Sequence, residues 1–283
     1  MKLVKTGLLV SIFFSGSVIN LASQSNIESR NREDEKELKV KVEYAAGDFS
    51  VRKAQEDKLY IIRSESQKTS IAPKVSYYKS GSSGFLNLEM DQNTSVDVFD
   101  FGKQNWSLEF SDKIPMSYNF ELGACNGEFD FTDLRVKDLT LSMGASKANV
   151  YFRAPNRDQI YLMKIEAGAS KMMMSGLCNA NFEKMEFEGG VGSYILDFSG
   201  ELKRDARANI TVGLGKVIIK VSRNANVKIR TDESFFSTCS ISEADFDKKQ
   251  DGLYLSRNFS SEMPVLDLRV EAGLGKVSIV STE

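Results

Sequence analysis

Polar and apolar residues alternate along most of this chain, and the alternation is organised around glycines. Gly123, Gly144, Gly168, Gly190 and Gly213 stand 21, 24, 22 and 23 residues apart, and Gly273 repeats their surroundings once more. Three residues before the glycine stand Phe120, Leu141, Ile165, Phe187, Ile210 and Val270. Five before stand Tyr118, Leu139, Met163, Met185, Ala208 and Leu268. Two before, the residues are polar: Glu121, Ser142, Glu166, Glu188, Thr211 and Glu271. A period of two marks a strand that buries one face. Apolar residues resume one after the glycine (Ala124, Ala145, Ala169, Val191, Leu214, Leu274) and six after (Phe129, Val150, Met174, Leu196, Ile219, Ile279), with small residues at plus two. The pattern predicts a strand, a corner and a second strand. Glycine suits such a corner because it accepts positive φ and close backbone approach.

One such unit cannot fold alone. It buries about six apolar side chains at roughly 1.5–3 kcal/mol each. Ordering its ~22 residues costs about 1–2 kcal/mol apiece in backbone entropy. Units must therefore share hydrogen bonds and core with neighbours. The expected fold is all-β: a β-solenoid (β-helix-like) of ~22-residue rungs with glycine corners at Gly123, Gly144, Gly168, Gly190, Gly213 and Gly273. Pro73, Pro115, Pro155 and Pro264 fall outside the rung strands, as strands that hydrogen-bond on both sides require.

The remaining segments complete a domain plan. Residues 1–23 carry Lys2 and Lys5 before a short apolar run and a small, polar stretch, the build of a secretory signal cleaved near Ala22 or Ser23. The run is too short to span a bilayer comfortably, so no stable transmembrane anchor is expected. Residues 24–37 read as a polar linker. Residues 38–115 read as an N-terminal β section that caps the stack, with a degenerate rung about Gly47 in which Asp48 takes the plus-one place, and strands at 59–62, 75–78, 85–88 and 106–110. Rungs occupy 116–230, an excursion loop 231–265 and a final rung 266–283.

The runs Glu188-Gly-Gly-Val-Gly-Ser-Tyr-Ile-Leu-Asp-Phe-Ser-Gly200 and Ile210-Thr-Val-Gly-Leu-Gly-Lys-Val-Ile-Ile219, with Glu166-Ala-Gly-Ala-Ser170, Asn105-Trp106 and Ile114-Pro115, resemble the bacterial toast-rack and putative-adhesin β-solenoid families. These are related to the C-terminal domain of LiaF-type cell-wall-stress response proteins. The resemblance covers roughly residues 38 to 280. It implies a β-helical stack, a cell-envelope or exported setting, and no catalytic residue, because the shared motifs are structural glycines and core apolars. LiaF-type proteins carry several transmembrane helices ahead of this domain, and this chain has only its signal-like segment.

Composition narrows the chemistry. There is no histidine, which removes Ser-His and Cys-His nucleophilic systems and the commonest zinc ligand. Net charge is −2, and no basic patch is dense enough for nucleic acid. Gly213-Leu-Gly215 and Gly273-Leu-Gly275 lie inside strand pairs with no following helix, so they are not dinucleotide fingerprints. Glu121, Glu166, Glu188 and Glu271 share a register and read as a solvated ladder, partly offset by Lys147, Lys171, Lys216 and Lys276 at plus three. Calcium binding or acid–base work by paired carboxylates is the sharper alternative. Cys125, Cys178 and Cys239 are odd in number, which in an exported chain leaves at least one thiol free or intermolecular. With Cys125 at a corner and Cys178 near a rung end, small buried thiols are read in preference to a structural disulfide. In Met172-Met-Met174 the alternation puts the outer two inside.

No cofactor and no metal site is indicated. The function expected is an exported, non-catalytic binding, adhesin-like or scaffold module, acting in the periplasm, at the cell surface or outside the cell, with an envelope protein or glycan as partner. Phe235, Phe236 and Phe246, in an otherwise polar stretch, are the candidate contact surface, or else a cap for the last rungs. One alternative is an envelope stress-response regulator. Another is a carbohydrate-active enzyme built on a β-helix, for which Arg153, Arg157 and Asp158 form a candidate cluster.

Overall fold

The computed structural model describes residues 24–66, 73–90, 104–231 and 237–282. The residues before 24, which carry the signal-like segment, lie outside it. Among the described residues there is no α-helix, and a single 3-10 turn at Leu177–Ala180 interrupts the strands. In chain order these are β1 (Gln24–Arg30), β2 (Glu37–Lys53), β3 (Tyr60–Ser66), β4 (Pro73–Ser80), β5 (Ser83–Met90), β6 (Gln104–Phe110), β7 (Met116–Asp130), β8 (Val136–Tyr151), β9 (Ile160–Ser175), β10 (Phe182–Phe198), β11 (Ala206–Ser222), β12 (Val227–Thr231), β13 (Ser237–Ile241), β14 (Phe246–Gln250), β15 (Leu253–Ser256) and β16 (Leu266–Thr282).

Seven strands are long, and they lie side by side in the order β2, β7, β8, β9, β10, β11, β16, parallel throughout. Their register is that of the sequence repeat. Phe120 lies beside Leu141, Leu141 beside Ile165, Ile165 beside Phe187, Phe187 beside Ile210, and Ile210 beside Val270. Like residues thus form rows across the sheet, at positions fixed by their distance from the glycine.

Burial alternates along each long strand and changes phase at the glycine. In β7, Phe120 and Leu122 are buried, Gly123 and Ala124 are both exposed, and Cys125 and Phe129 are buried again. The plus-one row, where the sequence pattern has the apolar residues resuming, therefore faces out. Val191, Leu214 and Leu274 are 56%, 47% and 53% exposed. Parity is the reason: with a period of two, the buried plus-six row shares its face with plus two and plus four, never with plus one.

The minus-one row, which the repeat did not single out, is inside: Leu122, Met143, Ala167, Gly189, Val212 and Ala272. It packs against the plus-four row. A Cβ on Gly189 would sit 2.7 Å from the Tyr194 ring, and the rings of Tyr44 and Phe49 are 5.3 Å apart. From β7 to β16 the pairs are Leu122 with Gly127, Met143 with Ala148, Ala167 with Met172, Gly189 with Tyr194, Val212 with Val217 and Ala272 with Val277. From β7 to β10 a large residue on one side is met by a glycine or alanine on the other, and β11 and β16 use two small or medium residues, whereas β2 places two rings there.

The glycines of the repeat are required by backbone proximity rather than by φ. None of the six has positive φ. A Cβ on Gly144 would lie 2.9 Å from the carbonyl oxygen of Gly123, and one on Gly190 would lie 2.6 Å from that of Gly168. Positive φ occurs instead two residues later, at Gly215 and Gly275, both at 142°.

β2 obeys the same register two residues earlier than its glycine suggests. Ala46 lies beside Ala124 and Gly47 beside Cys125, so Ala45 takes the place of the glycine and Asp48 falls at plus three. Both ends of the parallel set are closed by short strands. On its free side, β2 pairs with β5 through its first half and with β6 through its second. β16 is met in the same way by β12 and β13. Antiparallel strands then finish each end: β4 on β5, with β3 and β1 beyond β6, and β15 and β14 beyond β12.

Two segments read as irregular are therefore strands. Gln24–Arg30, read as linker, pairs along its whole length with β3. Its side chains are mostly exposed, so no apolar periodicity marked it. The excursion contributes β13 and β14.

The aromatic core lies toward β2, where Tyr44, Phe49, Trp106, Phe120, Phe129 and Phe131 make successive ring contacts. Toward β16 the core is aliphatic, with Val212, Val217, Ile219, Val270, Val277 and Ile279.

Candidate functional site

The outward rows at the bend define the broadest organised surface. The minus-two row holds Glu43, Glu121, Glu166, Glu188 and Glu271, and Glu166 lies beside Glu188 as the register required. The plus-three row holds Lys147, Lys171, Lys216 and Lys276, with Lys147 beside Lys171 and Lys216 beside Lys276. The two rows do not neutralise one another. Glu166 is paired with Lys164, 2.5 Å away, and accepts a hydrogen bond from Ser142 at 2.6 Å. These two contacts hold its carboxyl below the usual range. Glu43 is likewise paired with Lys41. None of the four plus-three lysines forms an ion pair among the described residues, and neither do Glu121, Glu188 and Glu271. Between the two charged rows runs the apolar plus-one row.

The cluster proposed for catalysis is not brought together. Arg153 pairs with Asp130. Arg157 donates to the carbonyl oxygens of Asp112 and Asp133. Asp158 receives a bidentate pair of hydrogen bonds from Arg135, at 2.8 and 3.0 Å. Each side chain ties the connection between β8 and β9 to a neighbouring turn or strand end.

Two carboxylates that sequence reasoning passed over are buried and fully engaged. Glu109, 4% exposed, accepts 2.6 Å hydrogen bonds from Arg52 and Arg63. Glu35, 1% exposed, accepts from the Tyr77 hydroxyl and from the backbone N–H of Glu33, both at 2.7 Å. Burial pushes the Glu35 carboxyl up. The Tyr77 hydroxyl, the backbone N–H groups and Arg30 outweigh it and leave the pKa below its ordinary value. No periodicity marks these residues; a lone acid amid apolar strand positions, as at Glu109, is the available signal.

Two of the three thiols are buried and Cys239 is exposed. Burial raises Cys125 to about 11 and Cys178 to about 12, and the Cys178 thiol donates to the Phe198 carbonyl at 3.0 Å. Met172 and Met174 are buried, with Met173 half-buried outside. Phe246 is 4% exposed within the core, so it fills the cap at the β16 end. Phe235 and Phe236 lie outside the described residues. The nearest residues in the sheet, Thr231 and Ser237, pair with Val270 and Gly275, on either side of Leu274.

A depression of about 420 Å³ lies near the start of β10, β11 and β16 and is lined by Lys184, Asp205, Arg207, Lys228, Phe259 and Asp267. Asp267 there is paired with Arg207 and Arg230. Among the described residues no group of three or more Cys, Asp or Glu is placed to hold a metal ion, and no helix is long and apolar enough to cross a membrane.

The register and the outward ladders define a protein built of repeated, parallel-stacked strands. The model of the N-terminal domain of toast_rack, DUF2154, matches residues 18–172, more than half of the chain, and the chain belongs to this toast-rack family. No curated protein matches the sequence. Solved structures similar to it include a putative cell adhesion protein from Clostridium sporogenes, 16% identical, with 92% of this chain and 100% of that one covered at a TM-score of 0.49. A putative adhesin from Bacteroides fragilis is 10% identical, with 92% and 97% covered at a TM-score of 0.41. A putative adhesin from Parabacteroides distasonis is 10% identical over the same shares, at 0.33.

Proposed function

We propose that this chain is an exported, non-catalytic, adhesin-like binding or scaffold module of the cell envelope, working as a β-solenoid of ~22-residue rungs with glycine corners. In this reading residues 38–115 form a capping β section, 116–230 the rungs, 231–265 an excursion and 266–283 the final rung. The observation that carries it is the disposition of the outward side chains. They form continuous in-register rows, suited to a broad contact with protein or glycan. The Arg and Asp residues singled out for chemistry are each engaged by a residue of a neighbouring turn or strand end. The toast-rack family membership supports the same reading, and Phe235 and Phe236 are the proposed contact residues within the excursion.

Binding is tested by incubating the full chain with isolated envelope fractions and purified wall glycans. Saturable retention without glycan turnover is expected, reduced by Phe235→Ser with Phe236→Ser. Turnover abolished by Asp158→Asn would overturn the non-catalytic reading. Export is tested separately by N-terminal sequencing of the protein from the producing cell. A start near Ser23 is expected; an intact Met1 contradicts it.

A further inference from the structure

We infer that the bend forms a self-complementary interface through which two copies of this chain associate about a two-fold axis parallel to the stacking direction. The inference stands on the surface alone and does not depend on the envelope ligand.

The apolar plus-one row is continuous across the seven long strands and grows along the stack, from alanines at Ala124, Ala145 and Ala169 to Val191, Leu214 and Leu274. The three large residues are each about half exposed. Each stands between two glycines, as in Gly213-Leu-Gly215, so no side chain beside it in its own strand blocks an opposing residue. A row of this kind in water calls for cover.

The flanks name the occupant. One side carries an acidic row in which Glu121, Glu188 and Glu271 form no ion pair among the described residues. The other carries a basic row whose lysines also form none. A second copy turned about an axis parallel to the stack sets each strand's minus-two residue on the same strand's plus-three residue. Glu271 meets Lys276 and Glu166 meets Lys171, Glu121 and Glu188 meet Asn126 and Ser193, and Lys147 and Lys216 meet Ser142 and Thr211. Only in β2 does acid meet acid, Glu43 on Asp48. A two-fold axis along the strands would instead lay the acidic row on the acidic row and the basic row on the basic row. One orientation is therefore selected by charge.

The size of the surface sets the strength. Seven strands spaced by about 4.8 Å, and five residues at about 3.3 Å from minus two to plus three, give roughly 29 by 16 Å, or about 460 Å² per copy. The total of about 900 Å² is below that of standard stable interfaces. Area alone does not fix affinity, but an interface this small makes the dimer weak and reversible, and a dissociation constant on the order of tens of micromolar is the value the test is set for.

Sedimentation equilibrium of the full chain up to about 200 µM, well above that constant, tests this. Two folded variants are compared, Lys171→Glu with Lys216→Glu and Lys276→Glu, and Glu121→Lys with Glu188→Lys and Glu271→Lys. Each alone is expected to weaken association by at least about tenfold, and their equimolar mixture to restore it. Leu214→Ser with Leu274→Ser weakens it without a restoring partner. A wild-type chain that stays monomeric throughout overturns the inference. So do charge variants that self-associate like wild type, or folded variants that fail to pair when mixed.

Discussion

The bends of β7, β8 and β9 and those of β10, β11 and β16 share one register and differ in chemistry. In the first set the residues after the glycine are Ala-Cys, Ala-Ser and Ala-Ser. Cys125 is buried there, and the Ser146 and Ser170 hydroxyls lie 2.8 Å apart. In the second set the pairs are Val-Gly, Leu-Gly and Leu-Gly. A Cβ on Gly192, Gly215 or Gly275 would lie 1.8–1.9 Å from a carbonyl oxygen of the preceding strand. The bend is thus built by side chains placed inside in one region, and by bare backbone, at positive φ in Gly215 and Gly275, with a larger apolar group outside in the other. What the long strands have in common is register and parity. Which residues fill the turn is free to vary.

The largest expected effect breaks the second kind of bend and spares the first. Gly215→Ala places a Cβ at a positive φ and against the Gly192 carbonyl; the cost is about 3 kcal/mol or more. At the equivalent place in β8, Ser146→Ala loses one hydroxyl contact, worth about 1 kcal/mol. Urea unfolding of the two variants measures the difference. Equal losses would mean that the two bends are not distinct.

The next effect concerns what the two bends share, the volume enclosed between the minus-one and plus-four rows. Ala148→Met overfills the turn of β8 and costs about 1–3 kcal/mol. Adding Met143→Ala creates the Ala–Met combination found naturally in β9 and recovers about 1–2 kcal/mol of that loss. A double-mutant cycle reads the coupling, and strict additivity would contradict it.

The alternation, the glycine spacing and the all-β character were legible because each follows from one face being buried in every copy. The exposure of Val191, Leu214 and Leu274 was legible in principle, since the plus-one and plus-six rows have opposite parity. Apolar identity alone suggested the inside. The complementary pairs, such as Gly189 with Tyr194, were hidden because neither row is uniform by itself; the regularity lies in their sum. β1 was illegible for a different reason. It is held by backbone hydrogen bonds along β3 and buries little, so nothing in its side chains records the pairing. The register of β2 was misplaced by Gly47, a glycine that belongs to the plus-two row. The cluster at Arg153, Arg157 and Asp158 dissolved because residues close in sequence at a turn each meet a different partner in the neighbouring turns and strand ends.

A smaller effect is read by pH at the β2 end. The Glu35 carboxyl is depressed below its ordinary 4.5 in the folded chain. Its contribution is therefore complete above about pH 4.5 and is lost as pH falls through the depressed value. Glu35→Gln removes that component, flattening the stability profile on the acid side while lowering stability at neutral pH. An unchanged acid limb in the variant contradicts the assignment. The smallest effect is at the outward row: Leu214→Ser changes the unfolding free energy by no more than about 0.5 kcal/mol, measured in urea at a concentration where the chain is monomeric.

The central claim is that burial changes phase at the glycine, putting the minus-one row inside and the plus-one row outside. Native-state thiol labelling tests it most directly. Cysteines are introduced one at a time at Val212 and Leu214 in a Cys239→Ser background, where Cys125 and Cys178 are buried. The phase change predicts rapid modification at 214 and protection at 212 until the chain is unfolded. Protection at 214 with rapid modification at 212 would contradict it.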